Sequence, residues 1–254
     1  MAIDDDKSDR ERARARLIDW SERLLARRHA QRHAHSAPET SAETASTAHR
    51  GLLVNDVQKD FCDGGALGVP GAEEIVPVIN RYIALFAERD LPVFVTRDWH
   101  PPQTSHFTTS GGKWPPHCVA GSDGAAFHPA LALPAGAIIL SKGTRPNEDG
   151  YSAFEAHHPG PVRLRECLEA HGVRTMYLAG MATDYCIRAT ALDGVRQGFT
   201  VVVLEDAVRG IDAHPGDLQA ALEEMRRAGV RFVRFDQVHR ELASATPDPA
   251  RALR

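Results

Sequence analysis

A cysteine near the start of a predicted helix is the residue of this chain best placed to do chemistry. Residues 175–179 form a short apolar run typical of a β-strand, and residues 184–197 have helical apolar spacing. Cys186 therefore falls in the first helical turn, where free backbone N–H groups and the positive end of the helix dipole favour a thiolate. Backbone N–H groups of Ala182 and Cys186 could hold an oxyanion there. The pattern indicates a sulfur nucleophile; the alternative is a small buried residue behind a turn.

An acid and a lysine follow two other predicted strands. Asp56 comes soon after the apolar run 52–54, and Lys142 comes soon after the run 137–140. If the strands are parallel, their carboxyl ends meet at one edge of the sheet, which would bring both side chains to Cys186. Asp56 would accept the thiol proton and Lys142 would stabilise its negative partners, an arrangement suited to acyl transfer. A turn-capping Asp56 and a solvent-exposed Lys142 are the structural alternatives.

A second cluster lies in the long irregular stretch 98–135. It contains Asp98, His100, His106 and His117. Asp98 and His100 are alternate residues, so both can point the same way at the end of an extended strand. Carboxylate and imidazole ligands suit Zn²⁺, Fe²⁺ or Mn²⁺. The cluster predicts a divalent-metal site, with chance histidines in a polar loop as the alternative.

The remaining pattern predicts an α/β fold. Short apolar runs alternate with segments of helical spacing, which indicates a parallel sheet covered on both faces. The predicted strands lie at residues 52–54, 92–96, 137–140, 176–179, 200–204 and 230–233, and the predicted helices at 72–89, 162–170, 184–197 and 216–227.

Composition limits the classes of function. The formal net charge of −4 gives no electrostatic reason to bind nucleic acid or an anionic membrane. No apolar run approaches the ~20 residues that a membrane span requires. The 4 cysteines include no CxxC pair and are predicted to be reduced thiols, so we expect a cytoplasmic protein.

The two ends of the chain differ in composition from the middle. Residues 1–48 are predicted to form an N-terminal extension with an amphipathic helix and a linker, residues 49–244 one globular domain, and residues 245–254 a tail. Leu17, Trp20 and Leu24 fall near one helical face of the extension. That face could dock on the body or on a second copy of the chain, forming a homo-oligomer. The alternative is a solvated extension.

Several short motifs together form a recognisable combination. They are DVQKDF at 56–61, DWH at 98–100, WPPHC at 114–118, KG at 142–143, YSAF at 151–154 and GMATDYC at 180–186. This combination resembles the nicotinamidase (pyrazinamidase) branch of the isochorismatase-like cysteine hydrolases over about residues 50–235. The histidine-containing motifs are the specific part, because most other branches carry no metal. Asn55 departs from the family, in which an apolar residue is usual before the catalytic acid.

The resemblance implies a role for each matching residue. It implies a three-layer α/β/α fold with a six-stranded parallel sheet and a cis peptide bond between Met181 and Ala182. The implied site residues are the catalytic triad Asp56, Lys142 and Cys186; the metal ligands Asp98, His100 and His117, joined by His106 in some members; and the substrate-binding residues Phe61 and Trp114, on either side of a pyridine ring, with Tyr151.

The activity implied is that of an amidohydrolase cleaving a carboxamide C–N bond. The small-molecule substrate would be nicotinamide, converted to nicotinate and ammonia in NAD salvage. One divalent metal would be bound, with Zn²⁺ favoured over Fe²⁺ or Mn²⁺. One alternative is a related cysteine amidohydrolase acting on a different small amide. Another is a non-catalytic partner protein that keeps the fold and docks through its N-terminal extension.

Overall fold

The computed structural model describes residues 49–244. Strands and helices alternate through most of this range, and long irregular segments follow β2 and β3. The elements are β1 (Arg50–Asn55), α1 (Ala72–Ala87), β2 (Val93–Asp98), β3 (Ile138–Lys142), α2 (Leu164–Ala170), β4 (Thr175–Met181), α3 (Arg188–Arg196), β5 (Thr200–Arg209), α4 (Asp217–Arg227), β6 (Arg231–Val233) and α5 (Phe235–Ala243).

The six strands form one parallel sheet in the order β3-β2-β1-β4-β5-β6. The predicted α/β class and the six-stranded parallel sheet are therefore confirmed. The chain runs outward through β2 and β3 on one side of β1, and through β5 and β6 on the other side of β4. The order thus reverses between β1 and β4, and ligands of open α/β sheets bind beyond the carboxyl ends of strands at such a point.

Both faces of the sheet are buried, which gives the molecule three layers. Leu52 and Tyr177 belong to a hydrophobic cluster that includes buried side chains of α1 and α5. Met176 and Val201 lie on the opposite face, close to the backbone of α3 at Gly194. Because alternate strand residues point to opposite faces, a strand covered on both sides reads as the continuous apolar run seen in the sequence.

Two helical segments differ from the prediction. The helix predicted at 184–197 is divided into a π-helical turn, Thr183–Ile187, and α3. In this turn, the N–H of Ile187 donates to the carbonyl of Ala182 at 3.1 Å, a wider loop than that of an α-helix. The sequence prediction missed α5, whose buried side chains Val238 and Leu242 are one helical turn apart.

The extension 1–48 and the tail 245–254, with the predicted amphipathic helix and its docking, lie outside the described residues. Within residues 49–244, none of the helices has the length and apolarity needed to cross a bilayer.

The end of β4 approaches β1 closely at Gly180. Its φ of 113° is in the left-handed half of the map, and a β-carbon there would overlap the carbonyl oxygen of Asn55, its partner in the sheet. The pairing of β4 with β5 shifts register at the same point. Glycine at 180 therefore lets β4 turn toward the residues that follow β1.

We expect Gly180→Ala to lower the free energy of unfolding by at least about 3 kcal/mol, because both backbone conformation and space exclude a side chain. Gly216→Ala is the matched control, since Gly216 has a φ of 102° and open space around its Cα. That change should cost only about 1–2 kcal/mol. Urea unfolding followed by circular dichroism measures both; equal losses would contradict the steric argument.

Candidate active site

The three residues predicted to carry acyl transfer lie together at the carboxyl edge of the sheet. The Lys142 Nζ is 2.9 Å from Oδ2 of Asp56 and 3.5 Å from Sγ of Cys186. The sulfur also lies within 4.8 Å of a carboxylate oxygen of Asp56 and of one of Asp98. All of these residues are buried. An acid, an ammonium and a thiol are thus within reach of one another.

Each of the three is positioned by the end of a different strand. Asp56 directly follows β1, Lys142 ends β3, and Cys186 lies in the π-helical turn after β4. Asp56 has a φ of 55°, an uncommon backbone conformation for a residue with a side chain, and the Thr96 hydroxyl donates to its Oδ1 at 2.8 Å. The carboxylate is therefore held in one orientation by β2, the neighbouring strand.

The buried ammonium of Lys142 has several partners. Its Nζ contacts the carboxylate of Asp98 and donates to the carbonyl of Gly150 at 2.6 Å. Burial alone would lower the pKa of Lys142, but the carboxylates of Asp56 and Asp98 outweigh it and hold this pKa well above its usual value. The lysine is thus charged, and it compensates two carboxylates that would otherwise repel each other.

The thiol of Cys186 is protonated at rest. Burial raises its pKa well above the ordinary value, against the opposing effect of the Lys142 ammonium. The start of a helix was expected to favour the thiolate, but desolvation of a buried sulfur dominates here. A base must therefore take the proton before sulfur can attack.

Asp56 has the properties of that base. Burial raises its pKa to about 6, while the Lys142 ammonium acts in the opposite direction. The carboxylate is ionised at neutral pH, yet it is more basic than an ordinary aspartate. A carboxylate with this pKa can accept a proton and return it.

Of the residues predicted to hold an oxyanion, Ala182 directly precedes the π-helical turn and Cys186 lies within it. The Met181–Ala182 peptide bond is cis, as the resemblance implied. The carbonyl of Ala182 accepts the N–H groups of Tyr185 and Ile187, both at 3.1 Å. The role of the Ala182 and Cys186 N–H groups stays a prediction.

Three histidines lie together beside this group. His100, His106 and His117 each present a ring nitrogen within 4.8 Å of the other two, and all three are buried. The His117 Nδ1 is 2.7 Å from the carbonyl oxygen of Pro115, and the His106 Nδ1 is 3.0 Å from Oδ1 of Asp149. These contacts place the proton on Nδ1 and leave Nε2 for a metal.

His100 has the buried, unpartnered ring nitrogens expected of a metal ligand. Both of its ring nitrogens are buried and have no hydrogen-bond partner. Burial lowers the pKa of His106, and it lowers that of His117 to about 4, so both are neutral imidazoles, the form that binds a metal. The donor set therefore suits a divalent transition metal.

Asp98 lies between the two clusters. One carboxylate oxygen contacts Lys142, and the other, Oδ2, is 3.7 Å from Nε2 of His100. Burial favours the neutral acid, but the Lys142 ammonium holds the pKa of Asp98 below its usual range. His106, which the resemblance implied as a ligand in only some members of the family, lies in the three-histidine group, whereas Asp98 groups with Asp56 and Cys186. Ligation by Asp98 stays a prediction.

The aromatic residues predicted to bind substrate line the histidine cluster. The Phe61 ring lies 5.5 Å from that of His117, and the Tyr151 ring lies 5.6 Å from that of His106, measured between centroids. The Trp114 Nε1 donates to the Tyr151 hydroxyl at 2.8 Å. The structure thus brings all three aromatic side chains to this region.

Several positioning residues were not assigned a role from sequence. Gln58 clamps the backbone of Asp98, donating to its carbonyl at 2.8 Å and accepting its N–H at 2.7 Å. The Asp60 carboxylate accepts the N–H of Cys118 at 2.7 Å, next to His117. Both lie in the motif after β1, which was the available signal. Asp149, the partner of His106, had none, because it is 43 residues away.

The Isochorismatase domain family matches residues 50–237 of this chain. The chain therefore belongs to the isochorismatase family.

Similar proteins and solved structures identify the branch of the family to which the chain belongs. A nicotinamidase/pyrazinamidase from Mycobacterium tuberculosis is 40% identical over 72% of this chain and 98% of its own. A crystal structure of pyrazinamidase from Pyrococcus horikoshii in complex with zinc has 44% identity and a TM-score of 0.68, over 74% of this chain and 99% of the other. A crystal structure of PnC1 from L. infantum in complex with nicotinate has 32% identity and a TM-score of 0.66, over 82% of this chain and 100% of the other. Within the family, the chain belongs to the nicotinamidase branch.

We expect Gly143→Ala to weaken zinc binding about 10- to 100-fold, because a β-carbon at 143 would overlap the ring of His100. Titration of the metal-free protein with zinc against a competing chelator measures the loss. Gly198→Ala is the control, since Gly198 also has a positive φ, 87°, with open space around it. Unchanged zinc affinity in Gly143→Ala would show that His100 is not a ligand.

Proposed function

We propose that this protein hydrolyses nicotinamide to nicotinate and ammonia through a covalent cysteine intermediate. The observation that carries the proposal is the meeting of Cys186, Asp56 and Lys142 beside three histidines, one of which has both ring nitrogens buried without partners. The triad suits attack on a carboxamide. The histidine cluster suits a metal ion that could bind the nitrogen of a heteroaromatic ring.

The first half of the reaction transfers the acyl group to sulfur. Asp56 takes the proton from Sγ of Cys186, and the thiolate attacks the carboxamide carbon. The backbone N–H groups of Ala182 and Cys186 hold the resulting oxyanion. Asp56 then returns its proton to the leaving nitrogen, so that the C–N bond breaks, ammonia departs and a thioester remains on Cys186.

The second half restores the enzyme. Asp56 removes a proton from a water molecule, whose oxygen attacks the thioester carbon in the same oxyanion site. The C–S bond breaks, the sulfur takes the proton back from Asp56, and the product acid is released and loses its own proton to water as nicotinate. Lys142 stays protonated throughout, because its pKa is held well above the usual value, and it steadies Asp56 in the ionised state.

A divalent metal fits the histidine cluster. His100, His106 and His117 would hold it, with Asp98 as a further ligand, and the zinc in the Pyrococcus relative supports Zn²⁺ ahead of Fe²⁺ or Mn²⁺. The ion would supply a Lewis acid for the pyridine nitrogen of the substrate. Phe61, Trp114 and Tyr151 would border the ring and fix its plane.

This activity would serve NAD salvage in the cytoplasm, with a small molecule as substrate. Residues 1–48 would be an extension and 245–254 a tail on the hydrolase domain, and the apolar face of the extension would support self-association. A linear amide has no ring nitrogen for the histidine cluster, so that cluster favours nicotinamide over the alternative amides. The filled triad argues against a non-catalytic partner protein.

We expect the purified, zinc-loaded protein to release ammonia from nicotinamide, and Cys186→Ala to lower kcat by at least about 1000-fold, because the nucleophile is lost. Cys167→Ala is the matched control, since Cys167 is a buried cysteine of α2 with no role in the site. Ammonia can be followed in a coupled enzymatic assay. A folded, zinc-loaded protein that releases none from nicotinamide would refute the proposal.

The pH dependence should report the ionisation of Asp56. We expect kcat/KM to fall about tenfold per pH unit below about pH 6, because protonated Asp56 cannot accept the thiol proton and its pKa is raised to about 6. The measurement is initial rate against pH, with zinc content determined at each point so that metal loss is not mistaken for protonation. A plateau that extends down to pH 5 with zinc retained would exclude Asp56 as the base.

A further inference from the structure

Lys113 is an exposed cation beside two aromatic residues at the candidate site, Trp114 and Tyr185. Its Nζ lies 4.7 Å from the ring centroid of Trp114 and 4.9 Å from that of Tyr185. It also donates to the Tyr185 hydroxyl at 3.2 Å. One ammonium therefore holds two rings in a fixed relation, by cation–π attraction and by a hydrogen bond.

A third aromatic residue, Tyr151, contacts both Trp114 and Tyr185. The Trp114 and Tyr185 rings meet edge to face, with centroids 5.0 Å apart and an interplanar angle of 81°. The Trp114 Nε1 donates to the Tyr151 hydroxyl, and the rings of Tyr151 and Tyr185 are stacked at 6.1 Å. We call Trp114, Tyr151 and Tyr185 the aromatic wall.

The aromatic wall reaches both parts of the site. Tyr185 directly precedes Cys186 in the π-helical turn. Tyr151 directly follows Gly150, whose carbonyl binds Lys142, and its ring lies against that of His106. Movement of the wall would therefore change the space beside the nucleophile and beside the histidine cluster together.

The ammonium also limits how a ligand can use Trp114. A cation that lies over one face of the indole leaves the other face for stacking, and it opposes rotation of the ring. A flat heteroaromatic amide gains most from a ring held in one plane, because less side-chain freedom is lost when it binds.

We propose that Lys113 is a positioning residue that holds the aromatic wall in the orientation that receives the heteroaromatic ring of the substrate. The inference rests on the proposed function, because it takes nicotinamide as the ligand. Lys113 has no part in the bond-breaking steps, so it acts on substrate binding rather than on chemistry.

The test separates binding from turnover. In zinc-loaded protein, Lys113→Met keeps the chain length but removes the charge and the donor. It should raise KM for nicotinamide about three- to fivefold and leave kcat within about twofold. Lys113→Arg should restore KM, because a guanidinium also stacks on aromatic rings. In a Cys186→Ala background, calorimetry should give the same three- to fivefold weakening of nicotinamide binding for Lys113→Met.

The matched control is Arg226→Met. Arg226 is an exposed cation 4.7 Å from the Phe232 ring, with both residues outside the site, so its loss should change neither KM nor kcat. Melting temperatures verify that each variant is folded. Unchanged KM in Lys113→Met, a fall in kcat alone, or failure of Lys113→Arg to restore KM would each overturn the inference. Absence of turnover in the unsubstituted protein would instead refute the proposed function.

Discussion

The buried ammonium of Lys142 is the interaction on which the rest of the site depends. It lies among the carboxylates of Asp56 and Asp98, the carbonyl of Gly150 and the sulfur of Cys186. A charge in such a place costs several kcal/mol unless it is paired, and the two carboxylates would repel each other without it. The site therefore requires the ends of β1, β2 and β3 and the turn after β4 to meet at one point. Each of them supplies a partner of the ammonium or the ammonium itself.

The same charges explain why the nucleophile is held as a neutral thiol. One ammonium faces two carboxylates, so the buried side chains around Cys186 carry an excess of negative charge. A resting thiol is less reactive than a thiolate toward oxidants and stray electrophiles. In the proposed mechanism, the sulfur becomes nucleophilic only when Asp56, whose pKa is raised to about 6, takes its proton. Burial thus keeps the cysteine in its less reactive form and also raises the basicity of Asp56.

The sequence predicted the sheet well, because strands covered on both faces read as continuous apolar runs. It also predicted which strand ends carry Asp56, Lys142 and Cys186, since parallel strands bring their carboxyl ends to one edge. It could not predict contacts that depend on loop geometry. His106 joins the histidine cluster because of where the irregular backbone after β2 passes, whereas Asp98 ends β2 in register with Lys142 of β3. The effect of burial on the thiol pKa was likewise not predictable, because position in a helix says nothing about burial.

The long segment after β2 has a further consequence. It supplies His100, His106 and His117, and also Trp114 and Lys113, whereas the nucleophile and its base come from β1 and the turn after β4. The proposed metal ligands are therefore encoded in a different stretch of chain from the proposed nucleophile and base, and the two meet only in space. Replacing the segment could redirect the fold toward other amides while the thioester chemistry survives, so divergence of specificity needs no new catalytic apparatus.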